Sequence, residues 1–351
     1  MNFTRQSLET WLRTDDPTAL DRLYRDADAV RRSHVGDAVH LRGLIEISNY
    51  CVRHCGYCGL NVSNRSLLRY RMNADEIFAC VLKACELGYG TVVLQSGEDY
   101  GIMQEWMAAL IRKVKTEAPL ALTLSLGERP YDDLLAWKKA GADRYLLRFE
   151  TSNDELYRKI HPSLPGRRSD RMKILRELSD LGYEVGSGVM IGIPGQSYCS
   201  LAEDIEMFRR LDLDMIGVGP YIAHPETDLA TKPGSHGIDA LDQVPNTETM
   251  TYKVIALTRL VCPNANIPST TALATLNRSS GRELGLQRGA NVVMPNLTPP
   301  QYRCCYEIYP NKACLFDAAE DGALSLRDRM SAIGREVGIG PGGRKTLRKL
   351  N

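Results

Sequence analysis

The stretch HLRGLIEISNYCVRHCGYC, residues 40–58, decides the reading of this chain. Its first part alternates. Arg42, Glu46 and Ser48 fall on one side of an extended backbone and Leu41, Ile45 and Ile47 on the other, the two-residue period of a strand. Its second part is a loop carrying Cys51, Cys55 and Cys58. In a barrel of alternating strands and helices, the loop after a strand lies at the catalytic, C-terminal face. Thiolates at this spacing can wrap one face of an iron–sulfur cluster. With three of them, one iron of a four-iron cubane stays open to a small molecule, much as catalytic zinc keeps an open position. Cys55 and Cys58 alone would also suit a redox pair or half a zinc site. A redox pair does not need Cys51, and His54 abuts Cys55 too closely to be an easy fourth zinc ligand.

Outward from this stretch, seven further short β-rich runs follow: TVVLQ (91–95), LALTLSL (120–126), RYLLRFE (144–150), EVGSGVMIGI (184–193), DMIGVG (214–219), NIPST (266–270) and NVVMP (291–295). Amphipathic stretches at 73–88, 105–117, 130–141 and 170–182 separate them. The first opens on Asn73, with Glu76 at the capping-box position, and closes on Gly88. Strand–helix alternation predicts a parallel sheet, and eight units predict an α/β fold of the (β/α)8 TIM-barrel type. An open doubly wound sheet is the alternative, but cysteines stand where its glycine-rich fingerprint belongs. The expected division is an N-terminal helical extension (1–38, with Leu8, Trp11 and Leu12 at helical spacing), the barrel (39–295) and a C-terminal closing segment (296–351).

Composition narrows the function. The 351 residues carry 44 Lys+Arg against 43 Asp+Glu, a net charge of +1, so no basic excess is available to neutralise nucleic-acid phosphates. No apolar run approaches the ~20 residues that span a bilayer. The N-terminus lacks the apolar core of a signal peptide, so a cytoplasmic protein is expected. Ten cysteines in a chain of this length are too dilute for a disulfide scaffold and point to metal or redox chemistry.

The run 144–150 makes a sharper statement. Tyr145, Leu147 and Phe149 share one face and should meet the helices, which turns Arg144, Leu146, Arg148 and Glu150 inward. Barrel interiors are normally filled by branched apolar side chains. Buried charge is expensive unless it is paired or used on a ligand. With Thr123 and Ser125 on the third strand, the lumen is polar and positively biased, as an anionic or strongly polar ligand requires; a self-satisfied Arg148–Glu150 pair is the structural alternative.

The cysteine loop after a first barrel strand resembles that of the radical S-adenosylmethionine (SAM) superfamily. The blocks RYRMNADEI (69–77), VLQSGED (93–99), LSLGERP (124–130), GADRYLLRFET (141–151), GIPGQ (192–196), IGVGPYIAHPETDLA (216–230), IPSTTALAT (267–275) and GANVVMPNLTPPQYR (289–303) are similar, in collinear order, to the HydE-type maturases of [FeFe]-hydrogenase. The resemblance implies a [4Fe-4S] cluster on Cys51, Cys55 and Cys58, whose open iron binds SAM and cleaves it reductively to a 5′-deoxyadenosyl radical. It implies that Tyr57 and Met215 lie against the adenine, and that Gln95, Ser96, Gly97, Glu98 and Ser125 belong to the SAM site. Glu150 and Arg171 would hold the ribose and the methionyl carboxylate. Arg144, Arg148, Thr270, Thr271 and Tyr306 would line a deeper substrate and anion pocket. For Met215 a core role is the plain alternative, for the threonines ordinary capping, and for Tyr306 a packed ring with its hydroxyl in solvent.

The same resemblance implies an iron–cysteine substrate carrying CO and cyanide, supplied by HydG and passed to the scaffold HydF during assembly of the hydrogenase diiron subcluster. Neither a nucleic acid nor a membrane is an expected partner. Other readings are a mutase of the methylornithine-synthase type, a HydE-like paralogue serving another metallocofactor, and a non-catalytic iron–sulfur carrier. A biotin synthase should offer ligands for a second cluster deep in the barrel, and the lumen strands carry none. Some HydE relatives hold an extra cluster near Cys304, Cys305 and Cys314. Two later cysteines of that pattern are missing here, so no conventional second cluster is expected. Cys80, Cys85 and Cys262 read as core fillers.

Overall fold

A computed structural model describes residues 3–166, 168–231, 237–313 and 319–344. The strands are β1 (Ala38–Ser48), β2 (Thr91–Ser96), β3 (Ala121–Ser125), β4 (Arg144–Leu146), β5 (Glu184–Ile191), β6 (Met215–Pro220), β7 (Val292–Val293) and β8 (Glu336–Val337). The order β6-β5-β4-β3-β2-β1-β7 is parallel throughout, as expected of a radical SAM-type α/β barrel, with β8 beside β1.

The ring closes through the run at 266–270, which is not a regular strand. Asn266 bridges Met215 of β6, and Pro268 bridges Val292 of β7. Pro268 has no N–H to give a ladder, so only single bridges form on either side of it. The run at 144–150 is likewise interrupted: β4 ends at Leu146 and pairing resumes with one bridge from Glu150 to Val189. Ser187 fills the break. Its hydroxyl donates to the Leu147 carbonyl at 2.7 Å and accepts the Phe149 N–H at 3.3 Å.

Helices pack outside the sheet as their patterns direct. α1 (Arg5–Arg13) and α2 (Pro17–Val35) cover α8 (Tyr198–Arg210) and α10 (Glu248–Val261). Leu8 and Leu12 are fully buried there while Trp11 is half-buried. α3 (Ala74–Glu86) starts at the anticipated capping box: Asn73 accepts from the Glu76 N–H, and Glu76 returns a bond to the Asn73 N–H. α4 (Gln104–Glu117), α5 (Tyr131–Ala140) and α7 (Arg171–Asp180) fall within two residues of their expected bounds. Tyr145 packs edge-on against Tyr183 and Phe149 against Phe208 of α8, which places the outward face of β4 as the alternation requires. Among the described residues no helix is long and apolar enough to cross a membrane.

The end of the chain forms a floor. β8 pairs with the start of β1, and residues 338–343 continue beneath the N-terminal ends of the strands. Arg42 donates to the Gly342 carbonyl at 3.0 Å; Thr91 and Arg144 donate to the Pro341 carbonyl at 2.8 and 3.1 Å. Arg144 also bonds Thr91 and Glu184. Burial and the neighbouring Arg144 charge push Arg42 down to about 9. Arg144 therefore belongs to the floor and does not line the cavity at the other end, because it is the first residue of β4 and sits at the wrong height. Replacing Arg144 with Met should cost roughly 2–3 kcal/mol in denaturant unfolding, the scale of several lost charge-assisted bonds. It should leave SAM affinity, read by equilibrium dialysis, unchanged.

Candidate active site

At the C-terminal ends of the strands lies a cavity of about 350 Å³, where barrels place their chemistry. Cys51, Cys55 and Cys58 all line it. The loop carrying them is held from outside. Arg69 donates to the carbonyls of Asn49, Leu60, Asn61 and Asn64 at 2.6–3.1 Å, and the Gly56 N–H reaches the Ile160 carbonyl at 2.9 Å. Burial pushes all three thiols up, Cys58 to about 12. Among the described residues no three His, Cys, Asp or Glu side chains close on a single metal ion. The three cysteines share one cavity, a donor set in which each thiolate can hold its own iron of a cluster.

Gln95, Ser96, Gly97 and Glu98 line the same cavity at the end of β2, and Ser125 at the end of β3. Gly97 is required by close approach: a Cβ there would overlap the Tyr50 carbonyl oxygen and stand 2.9 Å from the Cys51 Cβ. The Glu98 carboxylate is fully engaged, accepting from Arg53, from the Tyr100 hydroxyl and from the Glu128 N–H. Its side chain braces the cysteine loop and leaves the backbone to face the cavity. Asp99 does similar work, accepting from Ser48 at 2.7 Å and from Arg71 at 2.7 and 2.8 Å.

On the opposite wall Glu150 adopts φ 63°, a left-handed conformation that a non-glycine residue holds only under constraint. Arg148 Nη2 lies 3.2 Å from Glu150 Oε2, so the pair anticipated as the structural alternative is formed. That carboxylate oxygen and Arg148 Nε are nonetheless buried without a hydrogen-bond partner. Orphaned polar atoms on a cavity wall fit a polar ligand.

Tyr57, Arg171 and Met215 also line the cavity, as do Thr270, Thr271 and Tyr306. Met215 sits over the floor, its sulfur 2.8 Å from Arg42 Nη1. Thr270 caps α11 (Thr271–Leu276) as well as facing the cavity. Tyr306 is buried and its hydroxyl accepts from Gln95 at 3.2 Å, so the solvent-facing alternative does not apply. Arg144 is the one residue of the expected set that the cavity excludes.

Sequence reasoning missed the charged cluster behind the cysteines. Glu128 accepts from Arg171 Nε at 3.0 Å and the Ser169 hydroxyl at 2.6 Å, pairs with Arg53 at 2.8 Å and lies 3.2 Å from His161 Nε2. Burial alone would raise its pKa, but His161, the Arg171 charge, Ser169 and the Arg53 charge hold it well below the usual carboxylate range. His161 Nδ1 lies 3.0 Å from the Cys55 sulfur. Glu128 follows Gly127 just beyond β3, a strand-end position that could have drawn attention to it; His161 ends α6 (Asp154–Ile160) and carries no such signal. Also unforeseen is Lys312, buried in the cavity wall with Nζ 2.5 Å from Glu46.

The remaining cysteines lie apart. Cys80 is buried in α3, while Cys85 and Cys262 are half-buried and Cys199 is exposed. Cys304 is exposed, with its sulfur 3.8 Å from that of half-buried Cys305. Cys314 lies outside the described residues.

Comparisons with known proteins agree with this geometry. The model of the radical SAM superfamily matches residues 45–236. The chain is 42% identical, over 98% of its length and 95% of the relative's, to the [FeFe] hydrogenase maturase subunit HydE of Thermotoga maritima. It is 28% identical to 3-methylornithine synthase of Methanosarcina acetivorans, covering 95% of this chain and 88% of that one. Among solved structures, methylornithine synthase (PylB) superposes with a TM-score of 0.80 at 26% identity, covering 96% of this chain and 95% of that one. A strand-end cavity walled by three cysteines, a glycine that admits close backbone approach and a match spanning both make one conclusion: the chain belongs to the radical SAM superfamily.

Proposed function

We propose that this enzyme is a HydE-type maturase that cleaves SAM reductively and processes an iron–cysteine complex bearing CO and cyanide for the hydrogenase diiron subcluster. The observation that carries the reading is the 42% identity to HydE across 98% of the chain, which spans the whole cavity rather than the cysteine loop alone. Cys51, Cys55 and Cys58 would hold the [4Fe-4S] cluster. When bound, that cluster supplies the electron that cleaves the sulfonium of SAM. The chain's own residues bind and orient. The backbone at Gly97 receives the methionyl amine, Arg171 faces the carboxylate, Glu150 the ribose, and Tyr57 flanks the adenine; Met215, expected beside it, sits instead over the floor at the start of β6, at the other end of the cavity from Tyr57. Arg148, Thr270, Thr271 and Tyr306 form the substrate end, where the free Nε of Arg148 offers a donor to an anionic or cyanide-bearing ligand. HydG is the proposed supplier of the substrate, HydF the proposed acceptor, and the cytoplasm the place where they meet.

A second reading is a methylornithine-synthase-type mutase. Arg148 favours it, because its guanidinium lines the cavity with Nε unused and could grip an amino-acid carboxylate. Reconstituted hydrogenase maturation separates the two. With HydG, HydF and apo-hydrogenase, this chain in place of HydE should yield hydrogen-evolving enzyme. No hydrogenase activity, together with SAM-dependent formation of 3-methylornithine, would replace the maturase by the mutase. Within the maturase reading, Arg148→Met should leave iron content intact and lower turnover of the iron complex by roughly 10²-fold, the scale of one lost charge-assisted contact. Loss of the cluster itself would make the Arg148–Glu150 pair structural.

A further inference from the structure

We propose that His161 is a positioning residue for the cluster, donating its Nδ1–H to the Cys55 sulfur and tying that ligand to Arg171. The inference rests on Cys51, Cys55 and Cys58 being cluster ligands. His161 Nδ1 and Cys55 Sγ are 3.0 Å apart, and both residues are buried, so no water competes for the contact. The ring is locked in place. Its backbone N–H bonds the Tyr157 carbonyl at 2.8 Å, and its face packs on the Tyr157 ring at 5.1 Å.

Arg171 Nη2 lies 3.2 Å from His161 Nε2 and 3.5 Å from Nδ1, so the guanidinium rests against the ring face and favours neither nitrogen. Glu128 Oε1, 3.2 Å from Nε2, accepts from Ser169 and Arg171 Nε as well, so each ring nitrogen faces an acceptor, the carboxylate on one side and the Cys55 sulfur on the other. A proton on Nδ1 is what the contact with a cluster-bound sulfur requires. A ligating thiolate can only accept, so the pair is complementary in the cluster-bound state.

Two consequences follow from the chemistry. Hydrogen bonds to cluster sulfurs help set the reduction potential; a donated N–H withdraws negative charge from sulfur and favours the reduced, more negative cluster. Arg171 also lines the cavity and donates to the Arg148 carbonyl at 2.5 Å, so one guanidinium touches the ligand space, Glu128 and the histidine. A ligand that draws on Arg171 is thereby linked to Cys55, and such linkage is reciprocal.

The test is an EPR-monitored redox titration of the full chain, reconstituted anaerobically and without SAM. His161→Leu should lower the equilibrium constant for one-electron reduction about tenfold, a midpoint 59 mV more negative. His161→Asn keeps an N–H near the Nδ1 position and should stay within about twofold of wild type. An unchanged potential in the Leu variant, or equal shifts in both variants, would overturn the proposal. If the Leu variant takes up no cluster, wild-type protein labelled with ¹⁵N-histidine decides: pulsed EPR of the reduced cluster should detect coupling to a histidine nitrogen, and its absence would overturn the proposal. A wild-type chain that binds no iron at all would be a separate result, overturning the cluster reading itself.

Discussion

Replacing Cys51, Cys55 or Cys58 with Ala is expected to abolish SAM cleavage, lowering 5′-deoxyadenosine formation by roughly 10³-fold or more, at least about 4 kcal/mol of barrier. The size of the effect follows from the ligand count. Three thiolates leave one iron open for SAM; two leave a second iron without a protein ligand, and the cluster is either not retained or no longer presents a single open site. The substitutions should not unfold the chain. Arg69 and Asn61 hold the loop through backbone carbonyls, and those bonds do not involve the sulfurs. Chromatography of the nucleoside product together with apo-protein unfolding therefore separates loss of chemistry from loss of fold. Wild-type nucleoside production in any of the three variants would remove the cluster assignment.

The second large effect is expected at a residue that touches no iron. Glu128→Gln should destabilise the apo-protein by about 3–5 kcal/mol, the cost of leaving buried charge uncompensated. Arg53 and Arg171 both lean on this carboxylate, and Arg53 is fully buried. Arg53 also bonds Glu98 and comes from the cysteine loop, while Arg171 starts α7, so three parts of the cavity wall should loosen together. SAM affinity should fall with stability. The pH dependence has a definite sign. The folded pKa of Glu128 lies below its unfolded value, so its contribution is present above about 4.5 and is lost as pH falls towards the folded value. Stability of wild type should decline more steeply in acid than that of Glu128→Gln. A variant as stable as wild type at pH 7, with the same acid profile, would show that the arginines do not depend on Glu128.

What could be read from the sequence follows from how local each signal is. The cysteine triad is local, since spacing along a few residues places three thiols on one loop. So is the alternation in the run 144–150, which turned Tyr145 and Phe149 to the helices and Arg148 and Glu150 to the lumen. Alternation reports a face and not a height: it turned Arg144 inward, the family resemblance implied the substrate pocket for it, and the structure places it on the floor. The floor itself carried no signal, because residues 338–343 hold their place through backbone carbonyls that any sequence offers. The grouping of Glu128, His161 and Arg53 around Arg171, itself an expected site residue, was equally silent. Its members come from four different parts of the chain and meet only when the barrel closes. At 266–270 the short β-rich run suggested a strand, but Pro268 limits the pairing to single bridges.

The central claim is that this cavity holds a four-iron cluster with one iron open to SAM. EPR spectra of the anaerobically reconstituted, reduced protein, recorded with and without SAM while 5′-deoxyadenosine is assayed, test it most directly. The account predicts a [4Fe-4S]⁺ signal that changes on adding SAM, with cleavage product formed. A cluster signal indifferent to SAM, and no nucleoside, would contradict it and make the chain an iron–sulfur carrier.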